Sequence, residues 1–244
     1  MQRFYFDIEL WKPLSLDDKD FFNQISHVMR SKIGDKIILF SWDGFEYIYS
    51  IDEISKKWIK LVFDAKEPNE ADPKLKINLY QSLPNKYEKI EYILQKWVET
   101  WISRFVFFPS ERSSRLAITD KKIARFNAII KEALEQCWWN VMPTLEFLDK
   151  FDSTLIHWNA FVCHTTGDDS KWISFDNSEE TNLLIWPEGW FSKNEIDEFS
   201  RLGFGFMNFW KRVLRTESAS SVISFLLINA HDGQSGKWRY ISFK

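Results

Sequence analysis

Glycine is what this chain conspicuously lacks, with 8 in 244 residues, about half of what an average usage near 7 % would supply. Few positions are therefore free to adopt left-handed backbone or to let a ligand approach the main chain closely. Cysteine is nearly absent. Cys137 and Cys163 make neither a disulfide framework nor a thiolate cluster, which points to a reduced compartment. No Cys/His spacing suits a metal and no Ser/His/Asp arrangement is apparent, so neither a metal centre nor a hydrolytic triad is expected. No apolar run approaches the ~20 residues of a membrane-spanning helix, and the opening MQRFYFDIEL has no signal-peptide layout. An excess of one charge is missing too. The 32 Lys and Arg against 35 Asp and Glu leave a formal net charge of −3, so any polyanion would have to be met by a local basic patch.

Tryptophan is there instead, 13 residues of it. Several stand where backbone chemistry wants glycine: Trp42 in the SWDG turn, Trp138 behind a helix, and Trp186 and Trp190 on either side of PEG. An indole supplies neither positive φ nor close main-chain approach.

The first 66 residues read as mainly β, with RFYF, DKIILFSW, FEYIYSIDEI and WIKLVFD as strands separated by turns such as Asp43-Gly44. Between them, Phe21, Phe22, Ile25, Val28 and Met29 recur at helical spacing, predicting a helix over 16–31 capped by Ser15 or Asp17. Strands with one helix suggest a small barrel over 1–70. The polar stretch DAKEPNEADPK, 64–74, reads as a linker. Beyond it, in 75–244, strands alternate with helices at 86–100, 120–137, 192–202 and 216–229, which predicts an α/β domain with an open parallel sheet. Ligands of such sheets bind beyond the carboxyl ends of the strands, and IWPEGW and FWKRVLRT both stand at such ends.

The run LLIWPEGWFSKNEI…LRTESA, from Leu183 to Ala219, resembles the segment LLIGPEGGFSxxEI…LGxRILRTETA of the ribosomal RNA small subunit methyltransferase E family, knotted RNA methyltransferases of the SPOUT superfamily. QRFYF near the start, HVMRSKIGDKIILF from His27, and QSLPNKYEKIEYILQKWVETWISRFVFFPSERS from Gln81 follow that family's motifs in the same order. The resemblance implies an N-terminal PUA-like β-barrel that binds RNA and a C-terminal parallel-sheet domain tied in a deep trefoil knot. It implies S-adenosylmethionine as cofactor, methylation of uridine N3 in the 16S rRNA of the 30S subunit, a cytoplasmic homodimer, and neither membrane nor metal.

Carried over residue by residue, cofactor contacts fall at Leu184, Trp186, Glu188, Gly189, Trp190, Trp210, Val213, Leu214, Thr216 and Ala219, with Leu184, Val213 and Leu214 equally readable as core. The loop has no Gly-x-Gly-x-x-Gly and no basic residue, so it suits an uncharged group held by main chain rather than a phosphate. Forming N3-methyluridine removes an imide proton while charge develops on the ring oxygens. Arg215 as cationic donor and Glu217 as proton acceptor are the catalytic candidates, against a phosphate clamp or an ion pair for the first and a first-turn carboxylate for the second. RNA contacts are expected at Arg3, His27, Arg30 and Arg112. Glu99 and Arg112 match the family's motif and read first as a structural ion pair between adjacent elements, and His164 as a residue lining the pocket. The tail GKWRY, with Lys237, Arg239 and Lys244, is either a basic-aromatic RNA contact or a solvated end.

The family has glycine at the places of Trp42, Trp101, Trp138, Trp186, Trp190 and Trp210. This pattern suggests UGA codons that the source reads as glycine and that are written here as tryptophan. Read literally, Trp186 and Trp210 put indoles where the family leaves room for the cofactor. Two alternatives stay open: a knotted methyltransferase for another RNA site or for ribose 2′-OH, and a non-catalytic RNA-binding relative with a tryptophan-filled pocket.

Overall fold

The structure, a computed structural model, describes residues 2–55, 57–69, 73–156, 159–164, 173–174, 179–207, 214–231 and 240–241. It divides into two compact units, Met1–Asp72 with Leu134–Met142, and Pro73–Ala133 with Pro143–Lys244.

In the first unit β1 (Arg3–Tyr5), β2 (Leu14–Leu16), α1 (Lys19–Asn23), β3 (Lys36–Phe40), β4 (Phe45–Ile54) and β5 (Ile59–Pro68) follow in order. The strands form one sheet in the order β1-β3-β4-β5-β2, with β1 parallel to β3 and the other pairs antiparallel. Alternate residues point inward: Tyr47, Tyr49 and Ile51 of β4 and Ile59 and Leu61 of β5 pack with Phe4, Phe21, Ile25, Ile37 and Leu39. The expected 16–31 helix is shorter, because Leu14–Leu16 are spent as a strand against β5. Asp18, not Ser15 or Asp17, caps α1 by accepting the Phe21 N–H at 2.7 Å, and a single π-turn, Gln24–Val28, continues it. The expected linker also begins later. Residues as far as Pro68 pair with β4, Pro68 facing Phe45, at the end of a strand where a missing N–H is tolerated.

The second unit runs β6 (Lys76–Ser82), α2 (Tyr87–Val98), β7 (Ile102–Phe108), α3 (Asp120–Cys137), β8 (Thr144–Phe147), β9 (Ala160–Cys163), β10 (Ile173–Ser174), β11 (Glu180–Ile185), α4 (Lys193–Arg201), β12 (Gly205–Met207), α5 (Thr216–His231) and β13 (Tyr240–Ile241). The last residues of α3, from Leu134, belong to the first unit. Six strands make a sheet ordered β12-β9-β11-β6-β7-β8, every pair in it parallel; β10 and β13 pair separately. The α/β class with a parallel sheet is as the sequence predicts. Central strands β6 and β11 are buried at every residue but the first, as expected of a sheet covered on both faces, though Asn78, Gln81, Ser82, Thr181 and Asn182 are polar among them. Helix α2 lays Ile90, Ile93, Leu94, Trp97 and Val98 into the core at the spacing of one helix face. A capping box between Ser192 and Glu195 fixes the start of α4.

Because the six strands are parallel, the segments that follow them emerge on one edge: Leu83 after β6, Pro109 after β7, His164 after β9 and Trp186 after β11. No described helix is long and apolar enough to cross a membrane.

Candidate functional site

At that edge the turn Trp186–Trp190 is closed by a hydrogen bond from the Trp190 N–H to the Pro187 carbonyl, 2.9 Å. Gly189 is there for a spatial reason. A Cβ on it would sit 3.1 Å from both Cβ and the carbonyl oxygen of Arg112, tighter than ordinary contact. This turn meets the start of α5 through one buried carboxamide. Gln81, fully buried at the end of β6, donates from Nε2 to Thr216 Oγ1 at 2.9 Å and to the Ser82 carbonyl at 2.7 Å, with the Trp186 carbonyl at 3.4 Å. Thr216 in turn donates from Oγ1 to the Trp186 carbonyl at 2.6 Å. Gln81 Oε1 has no hydrogen-bond partner among the described residues.

A charged chain lies beside it. Lys89 of α2 places Nζ 2.6 Å from Glu188 Oε1 and 3.8 Å from Glu217 Oε2, and Arg215 approaches the other Glu217 oxygen at 3.9 Å. Partial burial by itself would raise the Glu188 carboxyl. Hydrogen bonds from Lys89 and the Asn85 N–H outweigh it and hold the group below the usual carboxylate range. Arg215 is the open member, its side chain 85 % exposed against 16 % for Glu217. Trp97 Nε1 donates to the Glu217 carbonyl at 3.2 Å, anchoring the first turn of α5 on α2.

His164 comes to the same place, its ring 5.8 Å from that of Trp190, and burial lowers its pKa. The rings of Trp186 and Trp190 stack at 4.7 Å and 11°, Trp186 buried and Trp190 half-buried. The volume over the turn is thus filled by indole. The loop after β7 adds Arg112, whose guanidinium donates to the Gly189 carbonyl at 3.5 Å. A cleft of about 930 Å³ opens beside this loop, lined by Ser110, Glu111, Arg115, Asp149, Glu195 and Glu198 among others. Its carboxylates outnumber its cations, which is unfavourable to a phosphate backbone.

The residues expected at the cofactor and catalytic positions therefore converge, with distinctions. Glu188, Gly189, Trp190, Arg215, Thr216 and Glu217 surround the turn. Leu184 and Ala219 are fully buried, which corrects their side chains from ligand contacts to core. Leu214 is half-buried. Trp210 and Val213 lie outside the described residues, as do Lys237, Arg239 and Lys244 of the tail. Lys89 and Gln81 were not anticipated as site residues. Both fall in the QSLPNKYEK stretch, but only the fold shows that a strand-end amide and a helix cation reach the later loops.

The RNA contacts need a larger correction. Arg3 is buried, its Nε 3.0 Å from Glu46 Oε1, with hydrogen bonding to Asn140 and the Phe40 ring under its guanidinium. It ties β1 to the rest of its unit and offers no phosphate a free face. His27 and Arg30 are exposed, His27 packing edge-on to Phe22. Glu99, just past the end of α2, pairs with Lys96 of that helix at 2.9 Å, not with Arg112. No group of His, Cys, Asp and Glu among the described residues suits a metal ion.

Comparison with known proteins agrees with this geometry. The profile of the RNA methyltransferase domain matches residues 71–228. The ribosomal RNA small subunit methyltransferase E 2 of Borreliella burgdorferi is 31 % identical over 209 residues, covering 83 % of this chain and 85 % of its own. The corresponding enzyme of Bacillus subtilis is 30 % identical, with 81 % and 82 % covered. A Legionella pneumophila protein described as a methyltransferase and solved with S-adenosylmethionine superposes with a TM-score of 0.75 at 26 % identity, over 94 % of this chain and 97 % of its own.

Proposed function

The chain belongs to the ribosomal RNA small subunit methyltransferase E family of RNA methyltransferases, and from that premise we propose that it uses S-adenosylmethionine to methylate uridine N3 in the 16S rRNA of the 30S subunit. One observation carries the reading. The turn after β11 and the start of α5 are held together by Gln81 and Lys89 at the carboxyl edge of a parallel sheet, where such sheets bind their ligands.

The main chain of Trp186–Trp190 and of Leu214–Thr216 would hold the cofactor, which supplies an electrophilic methyl group on sulfonium. The exposed Arg215 would donate to a uracil ring oxygen as negative charge develops there. Glu217, 3.8 Å from Lys89 and 3.9 Å from Arg215 at the same turn, would take the imide proton directly or through water. Arg112, reaching the Gly189 carbonyl from the loop after β7, would orient the RNA segment against the turn.

The same proposal includes a deep knot in the second unit, a PUA-like barrel in the first that binds RNA through His27 and Arg30, a homodimer, and a cytoplasmic location; these rest on the resemblance. The test is transfer of labelled methyl from S-adenosylmethionine to small-subunit rRNA. A second reading, RNA binding without catalysis, is favoured by one observation, the Trp186–Trp190 stack that fills the turn. The backbone under that stack argues against it.

A further inference from the structure

Among the described residues, six other than glycine have φ in the left-handed region, and four of them are tryptophan: Trp42 at 58°, Trp101 at 60°, Trp138 at 67° and Trp190 at 61°. The other two are Arg30 and Asn159. Asparagine tolerates this conformation, but a bulky side chain there crowds its Cβ against the following carbonyl.

Each of the four stands at a turn that glycine commonly makes. Trp42 opens the β3–β4 turn, with Gly44 at φ 80° two residues on. Trp101 follows the end of α2, its N–H bonded to the Val98 carbonyl at 3.1 Å. Trp138 directly follows the last residue of α3, the position where a left-handed residue closes a helix. Trp190 closes the Pro187 turn. None of the four is fully buried: Trp138 is 52 % exposed, and Trp42, Trp101 and Trp190 are half-buried, Trp42 stacked on Tyr5 and Trp190 on Trp186.

Other tryptophans behave as tryptophans should. Trp97 is fully buried in α2 with its N–H hydrogen-bonded, and Trp139 is 3 % exposed; neither has positive φ. Four described tryptophans thus share the backbone angle that glycine favours, in a chain holding 8 glycines.

We infer that residues 42, 101, 138 and 190 are glycine in the protein its source makes, encoded by UGA codons that the source reads as glycine. The consequence for the site is direct. Glycine at 190 removes the ring stacked on Trp186 and facing His164, and leaves the main chain of the Pro187 turn open to a ligand. That consequence rests on the methyltransferase reading; the residue assignment does not.

The codons of the source gene, with peptide masses of the protein made there, test the assignment. UGA at 42, 101, 138 and 190, UGG at 97 and 139, and glycine in the peptides are expected; UGG at all six overturns it. Stability gives an independent check. Trp138→Gly and Trp101→Gly should each raise the melting temperature, by roughly 2–4 °C where the strain is relieved, while Trp97→Gly should lower it. Losses at 101 and 138 as large as that at 97 would also overturn it. Trp186 and Trp210, matched to glycine by resemblance alone, join the four in a six-glycine variant for titration with S-adenosylmethionine. Binding there but not to the tryptophan form is expected. No binding in a more stable six-glycine protein would count against the cofactor reading and leave the four assignments standing.

Discussion

Gln81 Nε2 lies 2.9 Å from Thr216 Oγ1, joining residues 135 positions apart in a fully buried contact at the end of β6. Thr216 passes the link on to the Trp186 carbonyl at 2.6 Å, so one carboxamide sets the spacing of both loops of the site. Gln81→Leu leaves buried acceptors without a donor, a loss of about 1–3 kcal/mol. In the glycine form of the protein, the affinity for S-adenosylmethionine should fall by about tenfold or more, measured by calorimetric titration at a temperature where the variant is fully folded. A lower melting temperature with unchanged affinity would make Gln81 structural only.

Arg215 carries the catalytic claim. Its side chain is 85 % exposed, so Arg215→Ala should leave the melting temperature within a degree or two. Removing a single donor aimed at developing charge typically costs about 10²–10³ in rate. Single-turnover methylation of small subunits within a few-fold of the parent would show that Arg215 serves only its contact with Glu217.

Lys89 is the hub of the charged chain, bonded to Glu188 at 2.6 Å and 3.8 Å from Glu217. As a partly exposed pair its stabilising effect is about 1 kcal/mol or less, and Lys89→Met should change stability little. Loss of the cation leaves Glu188 with the Asn85 N–H and Glu217 with Arg215 alone, so the two loops are less firmly tied and the methylation rate should drop. An unchanged rate would remove Lys89 from the mechanism.

Arg3 and Arg30 should part company. Arg3→Met leaves Glu46, on the buried side of the first unit, without its partner, and should lower stability by about 1–3 kcal/mol in urea unfolding. It should leave the salt dependence of RNA binding unchanged. Arg30→Ala should do the reverse, reducing the salt slope by about one. If Arg3→Met flattens the slope in fully folded protein, the buried assignment is wrong.

Burial lowers the His164 pKa, so the folded state holds fewer protons on this ring than the unfolded chain. That contribution to stability is complete above the unfolded value of about 6.5 and is lost as pH falls through the lower folded value. His164→Asn should flatten the acid side of the stability profile in denaturant titrations between neutral pH and roughly pH 5. A profile identical to the parent would place the shift elsewhere.

Much of this was legible in the sequence. Helices α3 and α4 are readable from caps and apolar spacing, and the alternation of strands with helices gave the parallel sheet, because those signals are local. The strand β8 was not, since TLEF is four residues long and its pairing with β7 depends on a partner far earlier in the chain. Arg3 was misread for a similar reason: nothing near it in sequence announces Glu46 or Asn140. Gln81 and Lys89 were hidden because a side chain's reach across strand ends is set by sheet order, which periodicity does not encode. The tryptophans are the opposite case. Their glycine-like placement at residues 42, 138 and 190 was visible in the turns, and the backbone angles supply the physical reason.

The most direct test joins the functional and residue claims. Small ribosomal subunits lacking the modification are incubated with labelled S-adenosylmethionine and the six-glycine protein, and their 16S rRNA is digested to nucleosides. The account predicts label in N3-methyluridine, formed about 10²–10³-fold more slowly with Arg215→Ala and absent with the tryptophan form. Label on ribose or another base, or none from a folded, cofactor-bound protein, would contradict it.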